Sequence, residues 1–117
     1  MVLLVEDDDN MRAAVARILD HSGIQVVSAA DYSEGTAYIQ NARFDIIVSD
    51  YQMPYGSGLM LYEELRRMDL NTPFVLVSGD MRVTISDQKF RFLSKPFTSV
   101  ALIDTLRPFL SASRCGV

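Results

Sequence analysis

The stretch Asp45-Ile46-Ile47-Val48-Ser49-Asp50-Tyr51-Gln52-Met53-Pro54 sets a short apolar run directly before an acid and a proline. An unbroken apolar run of this length, bounded by polar residues instead of alternating with them, predicts a strand buried on both faces. Working outward, four similar runs lie at Val2 to Val5, Ile24 to Ser28, Phe74 to Val77 and, less sharply, Phe90 to Leu93. The segments between them carry a different period. Met11, Ala14, Val15, Ile18 and Leu19 recur at helical spacing and form one apolar stripe, closed by His21-Ser22-Gly23 with a glycine suited to a helix C-terminus. Tyr32 to Asn41 follows a capping Asp31, although Gly35 and Thr36 lower its intrinsic helicity. Gly58 to Met68 sets Leu61, Leu65 and Met68 on one side and Glu63, Glu64, Arg66 and Arg67 on the other. Ser99 to Leu110 aligns Leu102, Ile103 and Leu106, and Pro108, which lacks an N–H donor, is expected to kink or end that helix. Strands alternating with helices predict an α/β fold in which a doubly wound, five-stranded parallel sheet is covered on both faces.

The chain has 117 residues, 49% of them hydrophobic and 22% charged, which suits one domain with a real core. We expect that domain to occupy residues 1–110 and a tail to occupy 111–117. No apolar run approaches the length of a bilayer span, so a soluble, cytoplasmic protein without a membrane partner is expected. The lone cysteine, Cys115, cannot build a disulfide within the chain. A net charge of -4 argues against direct contact with nucleic acid, which is driven by clustered Lys and Arg.

In a doubly wound sheet, ligands bind beyond the carboxyl ends of the strands. Those positions hold Glu6 and Asp7, then Asp50, Ser78 and Lys95. Three carboxylates, a hydroxyl and an ammonium would therefore meet on one rim. Carboxylates crowded together repel, and a hard cation such as Mg2+ relieves this while keeping most of its waters. Metal-assisted phosphoryl chemistry is the natural use. An ordinary explanation exists for part of the run Asp7-Asp8-Asp9, since carboxylates cap helix N-termini, and we assign Asp9 to that role.

Four stretches carry a resemblance in order along the chain: Leu4-Val5-Glu6-Asp7-Asp8, Asp45 to Pro54 with Gly56 and Gly58, Val77-Ser78-Gly79, and Lys95-Pro96-Phe97. Together they closely resemble the receiver domains of response regulators in two-component signalling, a CheY-like family with a flavodoxin-like (βα)5 fold. The resemblance implies that Asp50 accepts a phosphoryl group from a histidine kinase or a histidine phosphotransfer protein. It implies Mg2+ held by Asp7, Asp50 and the backbone carbonyl of Gln52, with Glu6 acting through a metal-bound water. Lys95 and Ser78 would each meet a phosphoryl oxygen, and Gly79 would leave room for the group. It further implies a cis Lys95-Pro96 bond, a switching role for Ser78 and Phe92, and a slow self-dephosphorylation influenced by Gln52. A downstream protein, a fused effector or a second copy would read the result. The domain would act as a switch and not as an enzyme on a separate substrate.

One region departs from the family. Only 17 positions separate Ser78 from Lys95, and Val83, Thr84 and Ile85 are poor helix formers, so a shortened or irregular fourth helix is expected. A reduced turn, an extended loop and a mobile segment all fit the residues there. Two other functions compete. An unphosphorylated interaction module would have no need to retain Asp50, Lys95 and the acidic pair. A phosphatase using an aspartate nucleophile would need a larger chain and an acid where Gln52 stands.

Overall fold

In the computed structural model, which describes residues 1–79 and 82–114, the apolar runs become one sheet. Its strands are β1 (Val2–Val5), β2 (Val26–Ala29), β3 (Ile46–Asp50), β6 (Phe74–Ser78) and β7 (Phe90–Ser94), with β4 (Gln52–Met53) and β5 (Gly56–Ser57) forming a separate small hairpin. The helices are α1 (Asp9–His21), α2 (Tyr32–Asn41), α3 (Gly58–Arg67) and α4 (Ser99–Arg114). All four pairings in the sheet are parallel, in the order β2-β1-β3-β6-β7. The chain thus winds outward in both directions from β1 and β3, and the switch between those directions opens a crevice at their carboxyl ends.

Because β1, β3 and β6 are buried along their whole length, side chains that alternate along each strand feed two separate cores. Val2, Leu4, Val48, Val75 and Val77 pack with Val15 and Leu19 of α1 and with Leu102, Leu106 and Leu110 of α4. Leu3, Val5, Ile47, Phe74 and Leu76 pack with Ile39 of α2 and with Leu61 and Leu65 of α3. The expected stripe on α1 is met except at Ala14, which is exposed while Ala16 packs inward.

Helix termini follow their local chemistry. Asp31 caps α2 by accepting from the Glu34 N–H at 2.9 Å, and Gly23, at φ +76°, follows the Ser22 cap of α1. The N-cap of α1 is a correction: Asp8, not Asp9, accepts from the N–H groups of Asn10 and Met11, at 2.9 and 3.0 Å. Asp9 stands one residue too late, already helical, and pairs with Arg12 instead. Pro108 does not end α4, which continues to Arg114. Pro108 and Asp104, four residues earlier, are both exposed, so the carbonyl that proline leaves without a donor lies on the outer side of the helix. Residues 115–117, with Cys115, lie outside the described residues.

Between β6 and β7 the described residues form no helix. Val83 and Ile85 lie against the second core, and the chain is pinned by Asp87. Its carboxylate accepts from the Tyr62 hydroxyl at 2.6 Å, the Arg66 Nε at 3.0 Å and the Lys89 N–H at 2.9 Å. Arg66 continues to the carbonyls of Leu70 and Thr72, at 2.9 and 3.0 Å, and its guanidinium lies 4.8 Å from the Tyr62 ring centre. Phe90 then enters the sheet stacked on Phe74, with Tyr62 edge-on to both rings. An ionic and aromatic clamp on α3 therefore stands where helical packing was reduced.

The bond from Tyr62, followed by the Lys89 N–H and the Arg66 guanidinium, holds the Asp87 carboxyl at a pKa of about 2. A depressed carboxyl stabilises the fold above its ordinary value of 3.8 and loses that contribution as pH falls through about 2. Asp87→Ala is expected to cost about 1 to 3 kcal/mol at neutral pH, because Tyr62 and Arg66 lose a shared acceptor. Urea melts across pH should show the gap between wild type and variant closing on acidification.

Candidate functional site

Every strand that contributes to the site ends at the same edge. β1 delivers Glu6 and Asp7, β3 ends on Asp50, β6 ends on Ser78, and β7 leads directly into Lys95. Parallel register makes this convergence obligatory, since Asp50 lies beside Val77 and Ser78 beside Ser94. The Lys95 N–H donates to the Ser78 carbonyl at 2.9 Å, so the sheet ladder continues into the site.

Ligating oxygens of Glu6, Asp7 and Asp50 lie within 4.8 Å of one another. Glu6 and Asp50 are buried, and Asp7 is exposed at the rim. The Lys95 ammonium sits between the two buried acids, 2.8 Å from Asp50 Oδ1 and 3.3 Å from Glu6 Oε1. Its peptide bond to Pro96 is cis, as the resemblance implied. Glu6 is held from a third side by the Asp8 N–H, 3.1 Å from Oε2.

Burial raises the pKa of Glu6, assisted by the charge of Asp50 and opposed by the Asp8 N–H and Lys95. Burial likewise raises that of Asp50, opposed by Lys95 and reinforced by Asp7. For Lys95, burial works against the ammonium, but Asp50 and Glu6 together outweigh it and the pKa rises. One cation facing three carboxylates leaves the pocket short of positive charge. That shortage, with oxygen donors at close range and one of them open to solvent, suits a hard divalent ion that keeps part of its water.

The geometry therefore assembles Glu6, Asp7, Asp50 and Lys95 directly. Ser78 lies buried at the adjacent strand end. Gln52 begins the hairpin two residues past Asp50, with its side chain exposed. Gly79 is exposed, and a Cβ built there would meet Lys95 Cβ at an ordinary 3.7 Å, so this rim of the pocket is open. Phe92 is half-buried against the second core, with the Arg82 guanidinium 5.5 Å from its ring centre.

One contributor escaped sequence reading, and a second was read without its physical reason. Arg12 donates from Nη1 to the Glu6 carbonyl at 2.9 Å, and its only trace in the sequence is a cation in the first turn of a helix. Gly58 was recognised only as part of a resemblance, and its reason is steric. A Cβ there would lie 2.4 Å from the Asp50 carbonyl oxygen, 2.6 Å from Leu76 Cδ1 and 3.0 Å from Ser49 Oγ.

Comparisons with known proteins identify the family. Residues 2–107 match the family of the response regulator receiver domain, and the chain belongs to that family. Among curated relatives, it is 34% identical over 97% of its length to the C4-dicarboxylate transport transcriptional regulatory protein DctD of Pseudomonas aeruginosa, covering 26% of that protein. It is 37% identical over 93% of its length to the sensor kinase CckA of Brucella abortus, covering 12% of it. The chain thus spans a quarter or less of the length of relatives such as DctD of Rhizobium meliloti, at 24%, and CckA. Among solved structures, the receiver domain of the hybrid histidine kinase CckA aligns with a TM-score of 0.80 at 31% identity, covering 93% of this chain and 97% of that one. The chemotaxis response regulator CheY4 of Vibrio cholerae also gives 0.80 at 31%, covering 92% and 96%.

Replacing Gly58 by alanine drives a methyl group into the backbone of the Asp50 residue, which cannot yield cheaply. Gly58→Ala is expected to lose about 1 to 3 kcal/mol in thermal or urea unfolding, the range for overpacking a tight contact. Substituting Gly79, where the space is open, should cost far less by the same measurement.

Proposed function

We propose that the protein is a phosphorylatable switch in which Asp50 takes a phosphoryl group from the phosphohistidine of a histidine kinase or phosphotransfer protein. The observation that carries this reading is the Lys95 ammonium held 2.8 Å from a buried Asp50 carboxylate, beside two further acids that leave a divalent site. Glu6, Asp7, Asp50 and the backbone carbonyl of Gln52 would hold Mg2+. When bound, that ion supplies positive charge to the transferring phosphoryl oxygens.

The chain's own residues account for the rest. An Asp50 carboxylate oxygen attacks phosphorus, the phosphorus–nitrogen bond breaks, and its electron pair leaves with the imidazole. Lys95 exchanges part of its contact with Asp50 for a phosphoryl oxygen, so its charge follows the charge being moved. The Ser78 hydroxyl donates to another oxygen, and the open rim at Gly79 admits the group. Later attack by water returns the carboxylate and releases inorganic phosphate, a slow step on which the exposed Gln52 side chain borders. The domain thus promotes its own modification and its reversal without turning over a separate substrate.

The added charge is read through Ser78 and Phe92, whose half-buried ring can exchange its place beside Arg82 for one deeper in the second core. A downstream protein, a fused effector or a second copy would sense that change. Relatives that are a transcriptional regulatory protein and a sensor kinase support a place in two-component signalling of either arrangement. A cytoplasmic setting belongs to the same proposal; among the described residues no helix is long and apolar enough to cross a membrane.

Intact mass spectrometry tests it, with Mg2+ and acetyl phosphate as the donor. Wild type should gain one phosphoryl group that is base-labile and absent when Mg2+ is chelated, and Asp50→Asn should gain none. Absence of modification in wild type under all these conditions would instead support an interaction module that works unphosphorylated.

A further inference from the structure

Arg12 lies in the first turn of α1, where the aligned peptide dipoles disfavour a cation. Its side chain is nevertheless only 23% exposed. The contact with Asp9, at 2.5 Å, does not explain that burial: Asp9 is 86% exposed, and so open a pair on a helix surface contributes little. The other arm of the guanidinium does explain it. Nη1 reaches back under the loop to the Glu6 carbonyl at 2.9 Å.

That carbonyl belongs to the peptide unit joining Glu6 to Asp7, so its orientation fixes both side chains of the acidic pair relative to Asp50. On one side the Glu6 N–H donates to the Ala29 carbonyl of β2 at 3.0 Å, and on the other, one peptide beyond, the Asp8 N–H donates to the Glu6 carboxylate at 3.1 Å. Arg12 supplies the hold on the carbonyl between them. We infer that Arg12 is a positioning residue for the divalent-cation site, holding the Glu6-Asp7 peptide in the orientation that turns both carboxylates toward Asp50. This inference rests on the reading of the acidic pocket as a Mg2+ site.

Two effects of Arg12 on a nearby cation have opposite signs, which makes the inference testable. As a charge, the guanidinium repels Mg2+, and its removal would tighten binding. As an anchor, it preorganises the ligands, and its removal would weaken binding, by about tenfold or more on the scale typical of outer contacts to metal ligands. Lysine keeps the charge but not the two-armed geometry, and methionine keeps most of the stem with neither charge nor donors.

The experiment is a titration of nitrogen-15-labelled protein with MgCl2, followed by the backbone amide signals of the site in NMR spectra, for wild type, Arg12→Lys and Arg12→Met. The inference expects both variants to bind Mg2+ about tenfold more weakly, or worse, with amide spectra away from the loop preserved. Unchanged binding in Arg12→Lys together with unchanged or tighter binding in Arg12→Met would overturn it. Should Arg12→Met fail to fold, Arg12→Lys decides alone: weaker binding supports the anchor, and unchanged binding refutes it. A wild-type protein that binds no Mg2+ would contradict the reading of the pocket itself, a result distinct from either outcome for Arg12.

Discussion

Buried carboxylates that cannot escape one another govern this protein. Glu6 and Asp50 are drawn out of water by the ends of β1 and β3, with Asp7 at the rim close enough to act on both. Lys95 offsets part of the repulsion, and burial, reinforced by the neighbouring carboxylate charges, still holds both buried acids above their ordinary pKa values. An arrangement of this kind opposes folding and persists only where the surrounding structure over-determines it. Here the surroundings are a sheet whose central strands lie wholly inside two cores, so the ends of those strands have nowhere else to go. In the proposed switch, a cation or a phosphoryl group would act on a charge balance that is already uneven.

The two cores divide the labour. The core beneath α1 and α4 is aliphatic and continuous, and α1 also supplies the cap and the arginine that hold the loop bearing the acids. The core beneath α2 and α3 contains the aromatic cluster of Tyr62, Phe74 and Phe90, and is closed by the loop pinned at Asp87. Phe92 and Lys95 both follow from β7, the strand which that loop introduces. A polar clamp thus anchors the element that leads into the proposed phosphoryl contact, Lys95, and carries the aromatic side chain proposed to move.

Much of this was legible in the sequence, for identifiable reasons. Unbroken apolar runs and helical stripes depend on burial, and burial follows residue type, so the five strands and the helices near Leu19, Ile39, Leu65 and Leu106 emerged directly. The rim residues emerged because parallel strands oblige their carboxyl ends to share an edge. What escaped depends on geometry finer than pattern. Three consecutive aspartates do not reveal which stands at the cap, and Asp8 takes the place expected of Asp9. Strands of two residues, as in the β4–β5 hairpin, are too short to show a period. Pro108 was read by its missing donor, whereas its exposed position lets the helix pass. Asp87 and Arg12 look like ordinary surface charges until their partners, distant in sequence or on the backbone, are in place.

The unbalanced charge of the pocket is most directly tested by titrating the side-chain carboxyl carbons of Asp50 and Glu6 in carbon-13 NMR spectra, with and without Mg2+. The account predicts that, without Mg2+, both titrate above their ordinary values of 3.8 and 4.5, and that saturating Mg2+ moves both downward. Ordinary values that ignore Mg2+ would contradict it.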